Sequence, residues 1–217
     1  MNAPQGNQYL LEIGTEELPL EFLLSAPTEL TDKVKAALDE QGFSYGSVNL
    51  YATPRRLALI IKDLPELQEE RTFKTKGPPI RVALDASGNP SQAGLGFARK
   101  LGMDFSQLVQ ETIEGETYMV LNQTVAGRPT KALLAELLPN IVLSLSGSHF
   151  MAWGSNTIRF SRPIRWLVSL WNSEHLPLSI GPVQSDVFSQ GHRVLGDGPI
   201  RINPPINTCP FWKKTAR

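Results

Sequence analysis

The sequence predicts an α+β fold, a mixed and largely antiparallel sheet with helices packed on it. Three observations carry this. Short apolar strands and amphipathic helices are intermixed, neighbouring strands recur as hairpins, and the regular strand–helix–strand alternation of a doubly wound fold is missing. With 217 residues, 41% of them hydrophobic, the chain carries enough apolar material for a real core. Its 17 glycines and 17 prolines promise frequent turns, and 19% charged residues give no signature of disorder.

Tyr9 to Ile13 reads as a short buried strand ended by Gly14-Thr15. Thr15 is placed to cap a helix from about Leu18, with Glu16 and Glu17 near its positive end and Pro19 in the first turn. Phe22, Leu23, Leu30, Val34, Ala37 and Leu38 form its apolar stripe. Pro27 should kink or split it, and Gly42 should stop it. Val48 to Ala52 and Leu57 to Lys62 read as strands on either side of the corner Thr53-Pro54-Arg55-Arg56.

Gln68 to Lys76 alternates weakly and should end at Gly77-Pro78-Pro79, which neither a helix nor a central strand accommodates. Asp85 to Pro90 is turn chemistry, after which Ser91 caps a helix from Gln92 to Leu101 that Gly102 stops. Val109 to Ile113 and Tyr118 to Val125 form a hairpin through Glu114-Gly115-Glu116. Pro129 opens a helix with Ala132, Leu133, Leu137, Ile141 and Leu145 on its buried side, and Pro139 should break it. A second hairpin, Trp166 to Trp171 with Leu176 to Ile180, closes the readable part. One α+β domain is therefore expected over residues 8–202. Residues 203–217 hold three prolines and only Ile206, Phe211 and Trp212 as large apolar groups, so a disordered tail is expected there.

Charge and motifs narrow the function. With 21 basic and 21 acidic residues, the chain is no polycation that binds nucleic acid through bulk charge. The charge is uneven, however: residues 53–101 carry nine basic against five acidic groups, and residues 149–217 carry eight against three. Apolar runs are too short for a bilayer, and Met1 to Gln8 lacks a secretory pattern. The single Cys209 and the scattered His149, His175 and His192 show no metal-ligand spacing. A cytoplasmic protein without membrane partner, resident metal or cofactor of its own is expected. No phosphate loop, dinucleotide fingerprint, serine elbow or zinc-protease helix appears, so no catalytic residue is assigned. Gly94-Leu95-Gly96 is read as close packing; Glu12, Glu16 and Glu17 could form paired carboxylates for acid–base work, but Glu16 and Glu17 are read as helix-start charges instead.

Arginine-rich corners are the informative feature. Pro54-Arg55-Arg56 follows one strand and Arg162-Pro163-Ile164-Arg165-Trp166 leads into another. Proline stiffens each corner, and arginine suits bidentate phosphate contacts and stacking on planar groups. Arg55, Arg56, Arg162 and Arg165 are therefore candidates for anion or RNA binding, together with Lys74, Lys76, Arg99, His192 and Arg193. The structural alternative is that such arginines pair with nearby acids and pin the fold. The two corners are expected to converge on one surface or one buried ion-pair cluster.

Several strings then take the reading further. LLEIGTEELP (Leu10–Pro19), ATPRRLAL (Ala52–Leu59), KGPP (Lys76–Pro79), the turn and helix from Asp85 to Arg99, MAWG (Met151–Gly154), IRFSRPIRWLVSL (Ile158–Leu170) and GHR (Gly191–Arg193) stand in a specific order and spacing. Over roughly residues 8–195 this set resembles the β subunit of bacterial heterotetrameric glycyl-tRNA synthetase, which usually has Arg where Ala152 stands. The resemblance implies an α+β domain similar to the B3/B4-type domain of phenylalanyl-tRNA synthetase. It also implies a share in attaching glycine to its tRNA, with ATP and Mg at the catalytic α subunit. Implied partners are that α subunit, glycine tRNA and a second β subunit. Asn203 to Arg217 does not resemble the family's continuation, so a truncated or frameshifted product is expected. A stand-alone RNA- or partner-binding module without ligase activity is the alternative.

Overall fold

A computed structural model describes residues 6–85, 88–113, 115–148, 150–153, 158–191 and 198–202. These residues fall into two compact units, one drawn from Met1–Gln68 and Arg128–Arg217, the other from Glu69–Gly127. The chain runs through β1 (Asn7–Thr15), α1 (Leu20–Glu40), β2 (Ser47–Thr53) and β3 (Arg56–Leu64). The second unit holds β4 (Arg71–Pro79), α2 (Ile80–Ala83), α3 (Gln92–Lys100), β5 (Val109–Ile113) and β6 (Glu116–Val125). The first unit resumes with α4 (Thr130–Leu143), β7 (Met151–Ala152), β8 (Arg159–Phe160), β9 (Ile164–Trp171) and β10 (Glu174–His175). It ends with β11 (Ser179–Ile180), β12 (Val183–Asp186), β13 (Phe188–Gln190) and β14 (Pro199–Arg201).

In the first unit the main sheet has the order β11-β12-β9-β1-β3-β2, with β10 joined to β9. Every pairing is antiparallel except that of β12 with β9. Strand β1 is central, and its alternation sorts two cores. Tyr9, Leu11 and Ile13 face Phe22, Ala26, Leu30, Val34 and Leu38 of α1 and Leu133, Leu134, Leu138 and Val142 of α4. Leu10 faces the opposite way, into a smaller cluster with Ala58, Ile60, Trp166, Val168, Leu170 and Ile202. A strand buried on both faces needs no polar alternation, which explains the unbroken apolar run from Leu57 to Ile61. Phe22 meets Phe150 and Phe160 edge-on at 5.6 Å, joining α1 to β8.

In the second unit β4, β6 and β5 form an antiparallel sheet with β6 in the middle. Its core is small: Ala83, Ala98, Leu108, Met119 and Leu121. Glycines here serve close approach. A Cβ on Gly77 would lie 2.5 Å from the Phe97 ring, and one on Gly94 would lie 2.4 Å from the Ala83 carbonyl oxygen. Gly96 faces open space, so the packing reading holds for Gly94 and fails for its neighbour.

Ser91 caps α3 as expected, accepting a hydrogen bond from the Gly94 amide at 3.2 Å. Gly42 and Gly102, at φ 70° and 67°, follow the ends of α1 and α3. The Val109–Ile113 hairpin strand is found with those bounds. Other expectations need correction. Pro27 and Pro139 split nothing: α1 and α4 run through them because buried residues on both sides, Ala26 with Leu30 and Leu138 with Val142, hold each helix to the sheet. Thr15 caps no helix; it ends β1, fully buried, and Pro19 occupies the position before α1. Strand β4 passes Gly77-Pro78 through a register shift between Lys76 and Pro79, which an edge strand tolerates. Leu176 to Ile180 is not one strand: the return strand beside β9 is Glu174–His175, and Ser179–Ile180 pairs with β12 instead. The expected disordered tail, residues 203–217, lies outside the described residues.

Candidate functional site

The corners do converge, and the segment between β1 and α1 is what they hold. The Thr15 amide donates to the Arg55 carbonyl at 2.8 Å, the Leu18 amide to Pro54 at 2.7 Å, and the Glu16 amide to Pro163 at 3.2 Å. The backbone from Thr15 to Leu18 is thus pinned on both sides. For this reason Glu16 and Glu17 do not sit in a helical first turn, whose acid is Glu21.

Beneath that segment lies a buried polar cluster. Gly14 stands opposite Arg56 on one side and Trp166 on the other. A Cβ on Gly14 would sit 1.9 Å from the Trp166 ring, so the indole rests where a side chain would be. Its Nε1 donates to Glu12 Oε1 at 2.7 Å, and the Ser189 hydroxyl donates to the same oxygen. Arg56 Nη1 stands 3.6 Å from Glu12 Oε2 and donates to Ser189 Oγ at 3.3 Å, while Nη2 donates to the Gln190 carbonyl at 2.7 Å. Glu12 is fully buried and the Arg56 side chain is 9% exposed. This is the structural alternative realised for Arg56: a buried ion pair that joins β1, β3 and β13, with hydrogen bonds on Glu12 Oε1 and from Arg56 but none on Glu12 Oε2 among the described residues.

The outer layer differs. Glu16 is shared by Arg55 Nη2 at 3.7 Å and Arg165 Nε at 3.4 Å. The Arg55 and Arg165 side chains are 26% and 60% exposed. Guanidinium carbons of Arg55 and Arg56 lie 6.0 and 5.8 Å from the Trp166 ring, within cation–π range. Arg162, half-buried, donates to the Ser161 carbonyl at 3.0 Å. The corner therefore presents Arg55 and Arg165 outward on a rigid base. Because exposed ion pairs contribute little, Arg165→Met, with its side chain 60% exposed, should lower stability by less than about 1 kcal/mol in urea unfolding.

The remaining candidates stand elsewhere or outside view. In the second unit, Lys74 pairs with Glu111 at 2.6 Å and Lys76 lies 3.7 Å from the Tyr118 ring. Arg99 is exposed in the last turn of α3. His192 and Arg193 lie outside the described residues. Among the described residues no group of His, Cys, Asp or Glu side chains is arranged to hold a metal ion, and no helix is long and apolar enough to cross a membrane.

Reading the sequence singled out the arginines and named Glu12 as a carboxylate, but it did not pair Glu12 with Arg56 or bring Trp166 and Ser189 onto it. One signal was available. An acid at Glu12 within the apolar strand LLEI has to be buried with a cation, and the arginine corners are the nearest supply.

Comparison with known proteins gives the relationships. The family described as glycyl-tRNA synthetase beta subunit matches residues 9–208. A glycine–tRNA ligase beta subunit from Picosynechococcus is 42% identical over 200 residues, covering 90% of this chain and 28% of the relative. Its counterpart from Syntrophus aciditrophicus is 40% identical over 190 residues, covering 87% and 27%. That from Trichodesmium erythraeum is 40% identical over 210 residues, covering 95% and 29%. The chain thus spans little more than a quarter of the length of these relatives.

Proposed function

This chain belongs to the glycyl-tRNA synthetase β-subunit family, and from that premise we propose that it does the work of the N-terminal portion of a β subunit. In this reading it supports ATP-dependent attachment of glycine to its tRNA, while an α subunit holds the catalytic site with ATP and Mg. Glycine tRNA, the α subunit and a second β subunit are its partners, and the cytoplasm is its place. The observation that carries the reading is the family match over residues 9–208. Its physical support is that family-like strings supply the cluster: Glu12, Gly14 and Glu16 from one, Arg55 and Arg56 from another, Arg165 and Trp166 from a third. The same reading proposes a fold likeness to the B3/B4-type domain of phenylalanyl-tRNA synthetase, consistent with an α+β unit built on a mostly antiparallel sheet.

A segment exchange tests it. Residues 9–208 replace the matching segment of the full-length Picosynechococcus β subunit, which is combined with its α subunit and assayed for glycyl-tRNA formation. The chimera should charge glycine tRNA within about tenfold of the parent, a loss of at most roughly 1.4 kcal/mol in transition-state stabilisation. A chimera that folds and associates with the α subunit yet charges no better than the α subunit alone would overturn the reading.

A further inference from the structure

Arg55 and Arg165 reach one carboxylate from opposite corners, at 3.7 and 3.4 Å, separations longer than a strong hydrogen bond. Arg55 Nε is buried without a hydrogen-bond partner among the described residues. The two guanidinium groups thus retain donors that Glu16 does not engage. Arg165 also borders a cavity of about 340 Å³, whose walls include Trp153, Phe160, Pro163, Ile180 and Pro182. Among the described residues lining it, Arg165 alone is charged. The Trp153 indole N–H donates to the Phe160 carbonyl at 3.1 Å, fixing that ring in the wall. A space near the lower end of the roughly 300–1,000 Å³ range of small-molecule sites takes a group of nucleoside size, not a helix.

We propose that this cavity and the Arg55–Arg165 fork together seat one unstacked nucleotide of single-stranded RNA. The base enters against the Trp153 ring and Pro182, above the buried Phe160, and its phosphate replaces the Glu16 carboxylate between the two guanidinium groups. Planar bases stack on aromatic walls with little sequence preference, and arginine pairs suit phosphate oxygens bidentately. Glu16 acts as an internal competitor that keeps the arginines spaced when RNA is absent. Duplex RNA, whose bases are stacked, has no base to offer. The proposal rests on the RNA-facing reading of this domain, and it adds the ligand's chemical class, the pocket and the role of Glu16.

Fluorescence anisotropy of 5′-labelled octauridylate and octaadenylate with the full chain tests it, alongside an RNA duplex, tripolyphosphate and an acidic peptide. Glu16→Gln should tighten oligonucleotide binding about three- to tenfold by removing the competing charge. Arg165→Met should weaken it and reduce the salt slope by roughly 0.7, one phosphate contact fewer. Val183→Phe, which narrows the cavity, should weaken oligonucleotide binding about fivefold or more through lost stacking while leaving tripolyphosphate binding unchanged. Pro182→Trp at the exposed mouth replaces it should Val183→Phe not fold, with the same expectation. Neutral results for Glu16→Gln and for the cavity variant would overturn the proposal. Equal binding of the duplex, or equal competition by the acidic peptide, would do the same. A chimera that charges tRNA while these variants bind oligonucleotide unchanged would remove this inference and leave the proposed function standing.

Discussion

Replacing Glu12 with leucine is expected to destabilise the first unit by about 3–5 kcal/mol, because Arg56 is then left buried without its counter-charge. Two further donors lose their acceptor in the same step, since Trp166 Nε1 and the Ser189 hydroxyl both end on Glu12 Oε1. The double variant Glu12→Leu/Arg56→Met should recover a large part of the loss. Removing both members of a buried pair avoids the stranded charge that makes a single removal so costly. Urea unfolding followed by tryptophan fluorescence suits this test, because Trp153, Trp166 and Trp171, the tryptophans among the described residues, all belong to the first unit. A double variant no more stable than Glu12→Leu would show that the carboxylate matters for something other than Arg56.

Gly14→Val should cost a comparable amount, about 3 kcal/mol or more, for a different reason. Gly14 is not required by an unusual backbone angle; what it supplies is room. Any Cβ meets the Trp166 ring at 1.9 Å, so the indole must leave its place and give up its bond to Glu12. Gly14→Ala, which adds only the Cβ, should cost about 1–3 kcal/mol. In a Trp166→Ala background the same Gly14→Ala change should be nearly neutral, giving a coupling of about 2 kcal/mol in the double-mutant cycle. Additive effects would mean that the ring is free to shift and that the slot does not define the cluster.

Particular residues show how far the sequence could be read. Convergence of the corners was legible because Pro54-Arg55-Arg56 and Arg162 to Arg165 each border a strand of one core, and those strands flank β1. The burial of Arg56 was not legible apart from the position of Glu12, because its other partners arrive from far along the chain. Ser189 and Gln190 lie 133 and 134 residues away from it. Arg55 and Arg56 are adjacent, yet Arg55 stands in the turn before β3 with its side chain 26% exposed, whereas Arg56 opens the strand and is walled in. The prolines misled for a related reason. Local propensity places a break at Pro27, but the buried stripe from Phe22 to Leu38 is anchored on both sides of it. The division between Gln68 and Glu69 has no Gly-Pro punctuation of its own, whereas Gly127 and Pro129 mark the return.

The central claim is a division of labour: Arg56 holds the fold, and Arg55 with Arg165 is proposed to meet RNA. Its most direct test is made in the chimeric β subunit with its α subunit, comparing Arg56→Met with the double variant Arg55→Met/Arg165→Met. The melting temperature and the KM for glycine tRNA are measured at two salt concentrations. The double variant should keep its melting temperature within about 2–4 °C, as expected for lost surface ion pairs. Its KM for tRNA should rise about tenfold at low salt, with a shallower salt dependence. Arg56→Met should melt well below the parent. An unchanged KM in the double variant, or an Arg56→Met protein as stable as the parent, would contradict the account.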